Sequence, residues 1–276
     1  MDLNRDIESF DLVFLDLETT GLDVVTGDAI CEIGAFKMKN RELVDKFYSL
    51  VNPKKKMPKQ AYDVHKISDE QLKDAPFFED IAESLVKFLD NSVVCTYNAG
   101  FDIGFIDSHL KDIDKLPLNL PAIDILLMAR DALKLARYNL ETTAKYFSID
   151  TSSGLHRAKD DAKIAYEVFY KLLDIFREKG INKLYEFVLL HGFANEVYTE
   201  QINKRISLCQ EAIENEKKLR VRFFSLANTI EEEVILPLKL TKEFRYYNLL
   251  YQSQTEGAFQ IRFNRILDLE IGTHPI

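Results

Sequence analysis

No stretch of this 276-residue chain offers the roughly 20 consecutive apolar residues that a bilayer span requires, so a helical membrane anchor is not expected in it. The opening Met-Asp-Leu-Asn-Arg-Asp lacks the basic and then apolar pattern of a signal peptide. Cysteine is scarce. Cys31, Cys95 and Cys209 lie far apart in apolar segments, which argues against a disulfide framework or a zinc cluster and for reduced thiols in a cytoplasmic protein. Internal repeats and low-complexity tracts are also missing. Positive charge is in deficit, with a net −9 that disfavours nonspecific coating of nucleic acid. The deficit is uneven: residues 200–276 carry 11 basic and 11 acidic side chains, so residues 1–199 hold the whole excess. A cluster of cation-binding carboxylates would contribute to such an excess.

What is present begins with Leu12-Val13-Phe14-Leu15, an apolar run leading into Asp16-Leu17-Glu18-Thr19-Thr20-Gly21-Leu22. An extended run ending in two carboxylates one residue apart puts both on one face of a strand. Like charges so placed are costly to bury without a cation between them. Further on come Tyr97-Asn98-Ala99-Gly100-Phe101-Asp102 and His156-Arg157-Ala158-Lys159-Asp160-Asp161. Singly, Asp102 reads as a first-turn charge, Asp160 and Asp161 as helix-dipole partners, and His156 as a surface histidine. Together, four carboxylates and one histidine point to a metal site.

The pattern predicts strands at Asp11–Leu17, Ala29–Met38 and Leu43–Val51, close enough for an antiparallel meander. Strand and helix then alternate: a helix over Phe78–Leu89, a strand over Ser92–Thr96, a helix over Ala99–Leu110 and a strand over Pro121–Asp124. Helices over Ile125–Leu135, Leu140–Phe147 and Asp160–Phe176 complete a mixed sheet covered by helices, an α/β unit. Asn182–Leu190 reads as one more helix and His191–Thr199 as a polar connector. A helix from Ile202 through Glu216 then precedes five short alternating runs, and Glu231-Glu232-Glu233 reads as a solvated turn.

At the level of these motifs, residues 9–178 resemble the DEDDh exonucleases of the DnaQ-like superfamily. Cys31-Glu32-Ile33-Gly34-Ala35, Val51-Asn52-Pro53, His65-Lys66-Ile67 and Ala122-Ile123-Asp124 add to the likeness. The resemblance implies an RNase H-like mixed sheet and 3′–5′ hydrolysis of single-stranded DNA or RNA ends with two Mg²⁺ or Mn²⁺ ions. Oxygen-only ligands suit those cations. It makes Asp16, Glu18, Asp102 and Asp161 the metal ligands and His156 the general base, a role suited to an ordinary imidazole pKa near about 6.5. Thr19, Thr20, Gly21, Leu22, Asn98 and Phe101 become substrate contacts. His65 is a further substrate contact or simply a loop residue. Tyr97 stands where the family often has histidine.

Residues of about 202–272 resemble the WYL domain, a small Sm-like β-barrel with one leading helix. The likeness rests on Leu219-Arg220-Val221-Arg222-Phe223, Leu236-Pro237-Leu238, Arg245-Tyr246-Tyr247-Asn248 and Ile261-Arg262-Phe263-Asn264-Arg265-Ile266. It makes Tyr247, Arg262 and Arg265 a site for nucleic acid or another anion. In a regular strand Arg262 and Arg265 would face opposite ways, so a shared pocket needs a bend or an end between them.

The organisation expected is therefore an exonuclease domain at 1–178, a helical linker at 179–201 and a WYL-like β domain at 202–276. Single-stranded nucleic acid ends are the expected substrate, with a homodimer or a polymerase or repair protein as further partners and no membrane. The rival reading is a regulator that senses nucleic acid or a ligand and keeps an inactive exonuclease half as scaffold.

Overall fold

The structure is a computed structural model that describes residues 1–151, 155–243, 246–253 and 257–272. In chain order the first part comprises β1 (Leu12–Thr19), β2 (Ile30–Lys39), β3 (Glu42–Leu50), α1 (Lys59–His65), α2 (Asp69–Leu72) and α3 (Phe78–Leu89). It continues with β4 (Val93–Thr96), α4 (Ala99–Asp112), β5 (Ala122–Asp124), α5 (Ile125–Ala132), α6 (Leu140–Tyr146) and α7 (Ala158–Glu178). Then come α8 (Leu184–His191), α9 (Glu196–Glu214), β6 (Leu219–Phe224), β7 (Ile230–Glu243), β8 (Tyr246–Gln252), β9 (Ala258–Arg262) and β10 (Ile266–Ile271).

The first sheet has the order β3-β2-β1-β4-β5. β1 and β3 flank β2 antiparallel, whereas β4 lies parallel to β1 and β5 parallel to β4. The mixed, helix-covered sheet expected from the strand spacing is thus the one observed. Period-two alternation along β1 sends Val13, Leu15 and Leu17 into a core shared with Leu85 of α3 and Ile106 of α4. Leu12 and Phe14 enter the opposite core with Phe169 and Leu172 of α7. Phe14 sits in an aromatic cluster, its ring 5.1 Å from Phe169 and 5.8 Å from Tyr170. Burying one such side chain contributes about 1.5–3 kcal/mol.

Several boundaries differ from the sequence expectation. Asn195 caps a helix that starts at Glu196, its side chain accepting the Tyr198 N–H at 3.1 Å, so most of the expected connector is helical. Glu231, Glu232 and Glu233 are not a turn: they pair with Phe223, Arg222 and Val221 within β7, where cross-strand partners override their low strand propensity. The short α1 and α2 went unforeseen because one or two turns give too few residues for a periodic signal. Residues 179–201, expected as a helical linker, do contain a helix, α8, but its eight residues are all buried.

The second sheet is antiparallel, in the order β10-β6-β7-β8-β9, and among the described residues no ladder joins β9 to β10. Arg245 of the WYL-like motif lies outside the described residues.

Candidate metal and nuclease site

The site forms at the carboxyl ends of the parallel strands β1 and β4, where helices begin and the open sheet leaves a crevice. Asp16 and Glu18 are the next even-numbered residues after Leu12 and Phe14, so they face the α7 side. Gly34 stands opposite Asp16 in the register, and Glu32 opposite Glu18. A Cβ on Gly34 would lie 2.4 Å from the Ala158 carbonyl carbon and the Lys159 nitrogen. Only glycine lets the first turn of α7 rest on β2, and that turn carries Asp161.

Asp16, Glu18 and Asp161 each present a carboxylate oxygen within 4.8 Å of the other two. Asp102, buried in the first turn of α4, stands outside this trio but is the strongest of the charges that raise Asp16. Burial, and then repulsion from Asp102, Asp161, Glu18 and Glu32, holds Asp16 well above the carboxylate range. Burial and Asp161 push Glu18 up to about 8. Burial pushes Asp102 up to about 8, with Asp124 adding to it. Burial also takes Asp161 up to about 6, partly offset by the His156 N–H. An all-oxygen donor set whose charges repel one another is fitted to a hard divalent cation.

His156 is exposed and adopts a left-handed φ of 69°, and its backbone N–H donates to both Asp161 oxygens at 3.3 Å. The segment is therefore tied to the carboxylates through its main chain, leaving the imidazole on the surface.

The expected substrate residues fall in two groups. Leu22 is 86% exposed beside the trio's strand, Asn98 is exposed and Phe101 partly so. Thr19 donates its hydroxyl to the Gly21 carbonyl at 2.5 Å, and the Thr20 hydroxyl donates to Asp28 at 3.2 Å. Asp28 lies so close to Gly21 that a Cβ there would meet its carboxylate at 2.2 Å. His65 is buried instead: its Nδ1 accepts the Ile67 N–H at 3.0 Å, and Cys31 Sγ lies 3.9 Å from Nε2. Tyr97 turns away, bonding the Tyr138 carbonyl at 2.8 Å and the Thr143 hydroxyl at 2.7 Å.

Two further residues hold the site; in the sequence they stand only within supporting motif stretches and carry no assigned role. Asp124 accepts the N–H groups of Asn98 at 3.3 Å and Ala99 at 3.2 Å, and also that of Leu126 at 2.9 Å. One carboxylate thus joins the starts of α4 and α5. Glu32, fully buried, accepts the Ala158 N–H at 2.8 Å and the Tyr48 hydroxyl at 2.7 Å, with Arg157 Nε 3.1 Å from both oxygens. Burial alone would raise Glu32, but these bonds outweigh it and hold the group below the usual carboxylate range. Beyond its place in the supporting stretch Cys31-Glu32-Ile33-Gly34-Ala35, its sequence signal was a single charge inside an apolar run.

In the second sheet, β9 ends at Arg262 and a single 3₁₀ turn follows through Arg265. The break brings both arginines to a cavity of about 830 Å³ between α5 and the second sheet. Tyr246 and Arg130 line it as well; Arg262 sits 4.9 Å from the Tyr246 ring centroid. Tyr247 is not among the lining residues and packs against Phe263 instead. Arg265 is paired to Asp131, which also contacts His191 Nε2 at 3.0 Å.

The family model described as Exonuclease (RNase_T) matches residues 13–169. The DNA polymerase III subunit epsilon of Rickettsia conorii is 36% identical over 199 residues, covering 70% of this chain and 84% of that protein. The DNA polymerase III PolC-type protein of Thermotoga petrophila is 31% identical over 186 residues, 67% of this chain but 14% of its own length. Among solved structures, the nuclease domain of 3′hExo, a DEDDh family member bound to rAMP, superposes with a TM-score of 0.55 at 14% identity. It covers 62% of this chain and 94% of that one, a likeness of fold. With the carboxylate trio at the carboxyl end of the central strand β1, this chain belongs to the RNase_T exonuclease family, in its DEDDh, DnaQ-like branch, and is a nuclease.

Proposed function

We propose that the chain is a 3′–5′ exonuclease that removes nucleotides from single-stranded ends. The observation that carries the proposal is the convergence of Asp16, Glu18 and Asp161 within 4.8 Å. These three and Asp102 would hold two divalent ions, Mg²⁺ or Mn²⁺. Such ions, when bound, lower the pKa of water and offset charge on the scissile phosphate. His156 would take the proton from the attacking water, a role supported by its exposure and by the anchoring of its main chain to Asp161. The exposed Leu22, with Asn98, Phe101 and the Thr19–Gly21 backbone, would seat the terminal nucleotide.

The polymerase III relatives favour DNA over RNA and a polymerase partner. Three buried free cysteines fit a reducing, cytoplasmic setting. Residues 202–276 are assigned to a WYL-like, Sm-like β domain following a nuclease domain at 1–178. Its Arg262 and Arg265, with Tyr246 in the place first given to Tyr247, would take single-stranded nucleic acid or another anion.

The test is hydrolysis of matched 5′-labelled DNA and RNA oligonucleotides with Mg²⁺ or Mn²⁺. Asp16→Ala and Asp161→Ala are expected to abolish hydrolysis while remaining folded, because each removes repulsion from the metal-free site. Near-normal turnover in either folded variant would overturn the metal assignment.

A further inference from the structure

Like Asp102, Glu32 faces the site without belonging to the trio, although it is register-paired with Glu18 and fully buried. Its oxygens are committed to Arg157, to the Ala158 N–H and to the Tyr48 hydroxyl. Arg157 is the N-cap residue of α7, yet its side chain makes no capping bond. The first N–H of α7 is capped instead by a carboxylate from a neighbouring strand. The Arg157 carbonyl in turn accepts the N–H of Asp160 at 2.8 Å and of Asp161 at 2.9 Å. His156, on its other side, is bonded to Asp161. A continuous set of contacts therefore runs from the strand pair bearing Asp16 and Glu18, through Glu32 and Arg157, to His156 and Asp161.

We infer that the Glu32–Arg157 pair is a positioning clamp that sets His156 and Asp161 against Asp16 and Glu18 and keeps Glu32 out of the ion-binding set. The inference rests on the nuclease function proposed above. Arginine suits the task because its planar fork meets a buried carboxylate with more than one donor. Removing the guanidinium leaves a buried carboxylate short of its counter-charge beside three others, and capturing a cation relieves that situation. Removing the Glu32 charge instead loosens the placement without adding an ion ligand. The two substitutions thus share a catalytic defect and differ in metal binding.

The experiment uses the full chain, a 5′-labelled single-stranded DNA oligonucleotide and Mn²⁺, with calorimetric Mn²⁺ titration alongside. Glu32→Gln and Arg157→Met are each expected to lower kcat by about 10- to 100-fold with KM within about 3-fold of normal. The double variant should be no worse than the poorer single one, since both act through one contact. Arg157→Met alone should change the Mn²⁺ isotherm. Thermal melting establishes folding, and Arg157→Lys, which keeps the charge without the fork, shows the same split at smaller amplitude should Arg157→Met not fold. Normal kcat in a folded Glu32→Gln or Arg157→Met, or losses that multiply in the double variant, would overturn the clamp. If the unaltered protein does not hydrolyse the oligonucleotide, the nuclease function fails by itself. The Mn²⁺ isotherms then still decide the clamp: an unchanged Arg157→Met isotherm counts against it.

Discussion

Asp16, Glu18, Asp102 and Asp161 are held together against their mutual repulsion, and this makes the metal-free protein pH-sensitive in a definite direction. Their folded-state pKa values lie above those of the unfolded chain, at about 8 for Glu18 and Asp102 and about 6 for Asp161. Groups raised on folding favour the folded state when protonated, so this contribution is present below about pH 4 and is lost as pH rises towards 8. Melting of the metal-free protein should therefore be lower at pH 8 than at pH 5, and Mg²⁺ or Mn²⁺ should reverse the difference. A Glu18→Gln variant should flatten the dependence; an equally steep profile would show that the site is not its source. His156 calls for a different substitution. Its φ of 69° is tolerated by asparagine better than by alanine, and the backbone N–H that holds Asp161 survives the change. His156→Asn should lower kcat by about 10²- to 10⁴-fold, the size of a general-base contribution, with Mn²⁺ affinity little changed. Loss of Mn²⁺ binding as severe as in Asp161→Ala would remove His156 from that role.

At the scale of elements, the site depends on how closely α7 lies on β2. Gly34→Ala would drive a methyl group into the Ala158–Lys159 backbone, which cannot give way as a side-chain tip can. The expected outcome is about 1–3 kcal/mol of destabilisation in urea, typical of overpacking, together with loss of hydrolysis. Full activity would mean that α7 shifts without moving Asp161. On the other helix, Asp124 holds the start of α4 and hence Asp102, while the far end of α5 carries Asp131, the partner of Arg265. One short helix therefore spans from the carboxylate site to the second sheet.

The whole molecule is more unified than a two-domain chain with a linker. Leu184, Phe187, Val188 and Leu190 of α8 belong to the nuclease core, whereas Tyr185 and Leu189 belong to the core of the second sheet. Phe224 and Leu267 from that sheet complete the nuclease core. Arg222 pairs with the buried Glu186 at 2.7 Å, and Lys179 donates to the Asn228 carbonyl at 3.0 Å. Removing residues 200–276 should therefore lower stability and activity together, so truncation cannot isolate substrate capture. Arg265 is equally unsuitable because it holds Asp131. Arg130 and Arg262 are exposed on the cavity and form no ion pair among the described residues. The Arg130→Ala/Arg262→Ala protein should raise KM for long oligonucleotides, leave kcat for short ones nearly unchanged, and reduce the log–log salt slope by about 1.4. An unchanged slope would show that the cavity does not meet phosphate.

Sequence by itself determined the strands and helices with a full period to display, from the β1–β3 meander to α3, α4 and α7. It also pointed to Asp16, Glu18 and Asp161, which the fold brings within 4.8 Å of one another, because paired carboxylates after an apolar strand and an aspartate five residues after a histidine are local patterns. Tertiary structure decided what depends on partners distant in the chain. Glu32 gains its meaning only from Arg157, 125 residues away, and Gly34 only from the helix pressed on it. The burial of His65, the strand pairing of Glu231–Glu233 and the meeting of Arg262 with Arg265 have the same origin. Periodicity records which face a residue presents; close packing and cross-strand pairing decide what that face meets.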